Sequence, residues 1–427
     1  MRSSRREFGK LGLAAIVAAV ALRRVACSEP RARASPLPSR TTTAPRHVVS
    51  IFLSGGIDAI FTTDPKTRAD VEPWVDVPYE PRAIVEAGGL RLGPHFAPLA
   101  PFARRLAIVN GVQVRTANHN TGREQFLRMK TGTRPEMPSL LALIADARDT
   151  RDVPREQPLG CMSWPFALPH LASLFSETDR DDLRRMAEVL RAESKGVAAG
   201  GTSAEHRRTA KSLGESGALL ERLAVVGPIR YETWSTDDAL QTHAKTLQRT
   251  LFALEHDLAR TCEVNLGGGD QPWDTHTFNT ERQTRMARTI PLVARFFAEL
   301  EKRRGRGRER ALVDETLVVM GSEVGRYPAT NTAEGKDHFP EVPIVFYGAA
   351  IDARARGNGG SFGSTGTKME AMPVSLATGQ RVRTGGHDVI LDDVGTTILR
   401  ASGVRDPSVY GYDGSVLEFL GVTGAGG

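Results

Sequence analysis

Apolar residues along this chain gather in short continuous runs: His47–Leu53, Leu106–Val112, Cys262–Leu266, Thr316–Met320 and Val342–Tyr347. Runs of this kind, bounded by Gly, Ser or Asn, read as strands covered on both faces. Longer segments with helical periodicity lie between them, at Arg123–Lys130, Thr178–Lys195, Ala204–Val226 and Thr284–Arg304. Leu240, Ala244, Leu247, Leu251, Leu254 and Leu258 recur at spacings of four and three and form a single stripe, which is packing rather than chemistry. Buried strands separated by helices predict an α/β fold with a mostly parallel central sheet. Residues 149–261 are mainly helical and charged, and read as a helical insertion within a domain spanning 47–422.

Each run has a polar motif beside it. Ser54-Gly55-Gly56-Ile57-Asp58 ends the first, Thr116-Ala117-Asn118-His119-Asn120-Thr121-Gly122 comes after the second, and Gln271-Pro272-Trp273-Asp274-Thr275-His276 after the third. Gly321-Ser322-Glu323 ends the fourth, and Asp337-His338 precedes the fifth. In an open parallel sheet such strand ends share the edge where ligands bind. In extended backbone Asp274 and His276 leave on one face and make half of a divalent-metal site. The plainer reading makes Asp274 a helix cap, His276 incidental and Asp58 a turn aspartate. Asn118, Asn120 or Thr121 would likewise cap the adjoining helix, whose free amides also favour an anion. His206, His243 and His256 read as helix-face residues.

The N-terminus sets the destination. Ser4-Arg5-Arg6-Glu7-Phe8-Gly9-Lys10, the apolar run Leu11–Leu22 and Ala32-Arg33-Ala34 together resemble a twin-arginine export signal over residues 1–34. The apolar run falls short of the roughly 20 residues a membrane span needs. Residues 35–46, rich in Pro, Arg, Ser and Thr, read as a linker. The expected location is the periplasm or outside the cell. Cys27 follows Val25-Ala26, but Arg24 stands where a lipoprotein signal needs an apolar residue. The formal charge of +6 belongs to the signal: eight of 56 Lys/Arg and two of 50 Asp/Glu lie within 1–34, so the remainder carries 48 of each. A neutral mature chain argues against a nucleic-acid partner. Cys161 and Cys262 are too few for a disulfide framework.

Several apparent motifs lack their chemistry. Gly357–Lys368 has no Gly-Lys-Ser/Thr order, and Cys161-Met162-Ser163-Trp164-Pro165 starts like the modified-cysteine signature of sulfatases but carries Pro165 in place of its arginine.

Gly55-Gly56-Ile57-Asp58, Asn118-His119, Trp273-Asp274-Thr275-His276, Ser322-Glu323-Val324-Gly325-Arg326 and Asp337-His338, in this order behind a twin-arginine signal, resemble the exported domain-of-unknown-function family 1501 (DUF1501), related to the alkaline phosphatase and sulfatase superfamily. The resemblance implies an alkaline-phosphatase-like three-layer α/β sandwich with a metal site at the sheet edge. It implies Asp58, Asp274, His276, Glu323 and His338 as ligands of zinc or manganese, or of calcium. The family usually shows Ser-His where this chain has Asn118-His119, and Asn118 cannot act as a nucleophile. The expectation is therefore a hydrolase of phosphate or sulfate esters, acting on a small anionic ester, with Thr121 or a water attacking, His119 orienting or protonating the transferring oxygen, and Asn118 and Asn120 binding anionic oxygens. The alternative is a non-catalytic exported metal-binding or surface-assembly protein with a partner of its own.

Overall fold

The computed structural model describes residues 44–133, 137–147, 159–162, 177–226, 229–267, 273–305, 307–351 and 360–422. The export signal, Cys27 and most of the linker lie outside the described residues, as do Gln271 and Pro272. No helix among the described residues is long and apolar enough to cross a membrane.

The fold is α/β. Its strands are β1 (His47–Phe52), β2 (Val85–Ala87), β3 (Leu90–Leu92), β4 (Leu106–Gln113), β5 (Leu159–Met162), β6 (Ala259–Asn265), β7 (Thr316–Gly321), β8 (Gly325–Arg326), β9 (His338–Phe339), β10 (Glu341–Gly348) and β11 (Ser361–Phe362). Seven of them form one sheet in the order β11-β4-β10-β7-β1-β6-β5. β1 runs parallel to β6 and β7, β5 parallel to β6, and β11 parallel to β4. β10 runs antiparallel to both its neighbours, β4 and β7. That inversion matters for the site. β1, β4, β6 and β7 bring to one edge the residues that come after them, and β10, running the other way, brings to the same edge the residues that precede it.

The helices are α1 (His119–Arg128), α2 (Leu140–Asp146), α3 (Glu177–Gly200), α4 (Ala204–Val225), α5 (Asp238–Glu255), α6 (Asn279–Ala287), α7 (Ile290–Lys302) and α8 (Leu391–Ala401). Successive strand residues point to opposite faces, so each strand feeds two cores. On one face Val48, Phe52, Leu317, Val319, Ile344 and Phe346 join a cluster with Phe126 of α1, Leu140, Leu141 and Ile144 of α2, and Val394 and Ile398 of α8. On the other, Tyr347 stacks on Phe297 of α7 at 3.9 Å and meets Phe102 edge-on. The α7 stripe, Ile290, Val293, Phe296, Phe297 and Leu300, is fully buried, and side chains of this size together contribute on the order of 10 kcal/mol of transfer free energy.

Three boundaries differ from the sequence expectation for identifiable reasons. α1 starts at His119 rather than Arg123 because Asn118 accepts the backbone N–H of Thr121 at 3.1 Å and caps the helix there. The expected helix Thr284–Arg304 is two helices, α6 and α7; Pro291 opens the second, where its missing N–H costs nothing. Leu258, last of the predicted stripe, is buried beyond the end of α5.

The described residues 177–226 belong to a compact unit of their own. Its helices α3 and α4 are paired by Arg191 with Glu221 and by the Ser194 hydroxyl, which donates to the Ala210 carbonyl at 2.6 Å.

Candidate metal centre

The loop after β1 turns on two glycines, Gly55 at φ 114° and Gly56 at φ 94°, a backbone conformation that other residues adopt only at a cost. The turn aims their amides at the loop after β7: Gly55 N–H donates to Glu323 Oε1 at 2.8 Å and Gly56 N–H to Ser322 Oγ at 3.0 Å. Ser322 Oγ lies 2.8 Å from Glu323 Oε2 and donates to the Leu53 carbonyl at 2.7 Å. Glu323 is 1% exposed, its Oε1 held by the Gly55 amide. α1 comes in directly above it. A Cβ on Gly122 would meet the Glu323 carbonyl oxygen at 2.6 Å, so only glycine lets the helix approach this closely.

The Trp273–His276 loop is fixed from beneath. Trp273 and Thr275 are wholly buried. Gln283 of α6 donates to the carbonyls of Gly56 and Trp273, both at 3.3 Å, and the Thr275 hydroxyl bonds to Asn279 Oδ1. Arg326 closes the arrangement. Its buried guanidinium donates to the Gly55 and Gly56 carbonyls, to the Lys336 carbonyl at 2.9 Å and to Asp274 Oδ1 at 2.8 Å.

At the surface of this framework four side chains converge. His119, Asp274, His276 and His338 each present one ligand atom, and these atoms all lie within 4.8 Å of one another. His119 Nε2 is 3.4 Å from Asp274 Oδ2, His276 Nε2 is 3.3 Å and His338 Nε2 3.8 Å from Asp274 Oδ1, and the last two nitrogens are 2.9 Å apart. The other nitrogen of each ring faces an acceptor. His119 Nδ1 lies 2.8 Å from Glu323 Oε1, His338 Nδ1 2.6 Å from the Ala117 carbonyl and His276 Nδ1 3.3 Å from Asp337 Oδ1. With the proton on Nδ1 of each ring, three Nε2 lone pairs converge on a carboxylate. Oriented imidazoles backed by carboxylates or carbonyls are the usual surroundings of a metal-binding histidine. His119 Nε2 is buried, and the acceptor it faces is Asp274 Oδ2. The donor set, three nitrogens and a carboxylate oxygen, fits a divalent transition metal, and the cluster could hold one ion.

Protons compete with a metal for these atoms. Hydrogen bonding to Asp274 and then to Glu323 pushes the His119 imidazole up to about 9 against the effect of burial. Burial would raise the Asp274 carboxyl, but His119 and Arg326 outweigh it and hold it well below the usual carboxylate range. Burial lowers His338. Wherever the rings are neutral, Asp274 and Glu323 outnumber the Arg326 guanidinium, and the cluster attracts a cation.

Of the five residues the resemblance implied as ligands, the structure brings together Asp274, His276 and His338. Glu323 stands one shell back, behind His119. Asp58 is elsewhere: its Oδ2 lies 2.7 Å from the buried Lys336 ammonium and 3.1 Å from Asn279 Nδ2, and its Oδ1 accepts from the Ile60 amide. His119, expected to handle a proton, takes its place in the cluster. The signal for that was present in the sequence, since Asn118 as cap makes His119 the first helical residue. Asn118 is exposed and engaged in capping; Asn120 and Thr121 are exposed at the same helix start.

Residues 167–378 match the family described as Protein of unknown function (DUF1501). The matched segment contains Asp274, His276, Glu323 and His338, while Asp58 and His119 lie before it. No curated protein matches the chain. Among solved structures it is similar to a putative sulfatase from Bacteroides thetaiotaomicron, with 12% identity, a TM-score of 0.36 and coverage of 90% of this chain and 76% of that one. A 2-O GAG sulfatase shows 13% identity and a TM-score of 0.34, with the same two coverages. At these scores neither likeness bears on the site, which stands on its own residues.

Proposed function

We propose that this chain is an exported metal-dependent hydrolase of phosphate or sulfate esters. The observation that carries the reading is the convergence of the His119, His276 and His338 Nε2 atoms on Asp274, with every Nδ1 engaged. Three nitrogens and one oxygen suit zinc or manganese; calcium prefers an all-oxygen shell. The ion, when bound, supplies Lewis acidity toward an ester oxygen. His276, with 45% of its side chain exposed, leaves that face open to substrate. His119 opens α1, and the free amides of that helix start, with the exposed Asn120, would bind anionic oxygens. His119, with Nδ1 on Glu323 and Nε2 in the cluster, serves the cation rather than proton transfer. Asn118 is committed to the helix cap, so attack falls to the Thr121 hydroxyl or to water.

One observation favours a second reading. Four protein donors can close a tetrahedral zinc site, the arrangement of structural zinc, which leaves no position for substrate. On that reading the protein is a metal-stabilised exported scaffold. Assays of phosphomonoesters, phosphodiesters and sulfate esters with the zinc- and manganese-loaded chain separate the two. The hydrolase reading predicts turnover of at least one class and its loss in Asp274→Ala; full metal loading with no turnover of any class supports the scaffold.

A further inference from the structure

A second cleft opens where β4 pairs with β10. Val342 faces Val112 and Ile344 faces Val109, so Asn110 and Gly111 together oppose Pro343. Two residues against one is a β-bulge, a device that re-aims side chains; Pro343 has no N–H for the ladder, and Gly111 takes the required φ of 71°. Asn110 and Glu341 both line the cleft. Asn110 is 5% exposed and gives its Nδ2 to the Thr63 carbonyl at 3.4 Å, leaving a buried Oδ1 with no donor among the described residues. Glu341 receives a hydrogen bond from the Ala371 backbone, and its Oε2 is likewise buried without a donor.

The other polar groups of the cleft are satisfied. Lys336 and Asn279 hold Asp58, Lys66 and Thr365 hold Asp64, and the Arg326 donors are spent on carbonyls and Asp274. Two acceptors remain, one of them a carboxylate that no cation among the described residues faces; Glu370 and Asp388 press on it instead, and burial first and then these two push it up to about 7. Unmet buried acceptors are costly, and an occupant that brings N–H donors and positive charge satisfies both. Measured to the centre of a water-sized sphere the cavity is about 20 Å³, room for a group of about the size of one water or one ammonium. The walls are apolar, formed by Ile60, Phe339 and Met369.

We propose that this cleft binds the primary ammonium group of a small organic cation, its N–H donors on Asn110 Oδ1 and Glu341 Oε2. The site is distinct from the histidine cluster. His338 and Phe339 are consecutive in β9 and point to opposite faces of the ribbon, one into each site. The proposal does not depend on the metal reading.

The test is calorimetric titration and thermal unfolding of the full chain at pH 8 with methylammonium, n-butylammonium, potassium and tetramethylammonium chlorides at equal ionic strength. The two primary ammonium salts are expected to bind and raise Tm, potassium and tetramethylammonium to do neither, and Glu341→Gln, nearly isosteric, to weaken binding at least tenfold with the unliganded Tm preserved. Asn110→Asp, which adds a second charge, is expected to tighten it. Equal binding of potassium, equal binding of tetramethylammonium, no binding of either amine, or binding unchanged in Glu341→Gln would each overturn the proposal.

Discussion

The Nε2 atoms of His276 and His338 face each other at 2.9 Å, while the Nδ1 of each ring faces an acceptor. Two imidazole nitrogens at that distance share either a proton or a metal ion, and with both Nδ1 atoms protonated the metal is the one that fits. Stability should therefore depend on metal. Chelation is expected to lower Tm, and zinc or manganese to restore it, by about 4 kcal/mol at a free concentration a thousand times the dissociation constant. His276→Ala should abolish most of that gain, and a Tm indifferent to chelator would count against the cluster as a metal site.

Glu323 acts through His119. Glu323→Gln keeps the volume but weakens the hold on His119 Nδ1, now 2.8 Å from Oε1. Metal affinity should fall by about 10- to 100-fold, as for other groups that orient a ligand. Competition titration against a chromophoric chelator measures it, and an unchanged affinity would leave Glu323 a purely structural residue.

Asp58 and Lys336 form a buried pair, 2.7 Å apart, with side-chain exposures of 2% and 0%. Removing one partner strands a charge. Asp58→Ala or Lys336→Ala is expected to cost about 3–5 kcal/mol, whereas a paired apolar replacement of both costs far less. Urea unfolding of the two single variants and of Asp58→Leu with Lys336→Met distinguishes this from two independent contributions.

His47 supplies a pH-dependent term far from the site. Its Nδ1 lies 2.8 Å from the Ala259 carbonyl, and burial pushes the imidazole down to about 4 from its ordinary 6.5. The folded state resists the proton that the unfolded state takes up. Stability is thus fully present above pH 6.5 and lost as pH falls toward 4, by roughly 3 kcal/mol. Urea titrations of wild type and His47→Asn at pH 7.5 and 4 should show the wild type losing that much more than the variant.

The sequence made the sheet legible because β1, β4, β6 and β7 are mostly buried and carry apolar runs, and because each leads into polar residues. It gave no direction to β10. An apolar run reads the same either way, and only the inversion explains how His338, which precedes its strand, reaches the edge that Asp274 reaches by following its own. Asp274 and His276 stood out by spacing alone. Asp58 looked equivalent to them, since nothing local shows that Lys336, in a polar stretch between two strands, folds inward to neutralise it. The bulge at Asn110 and the unmet acceptors beside it were equally invisible, because both depend on which strand lies opposite.

The central claim is that His119, Asp274, His276 and His338 hold one divalent ion. Elemental analysis of the chain exported through its native pathway, joined to X-ray absorption spectroscopy of the bound metal, tests it most directly. The account predicts about one equivalent of zinc or manganese with a first shell containing three imidazoles, falling below half an equivalent in Asp274→Ala. Less than half an equivalent in the wild type, or a bound metal whose shell lacks imidazole, would contradict it.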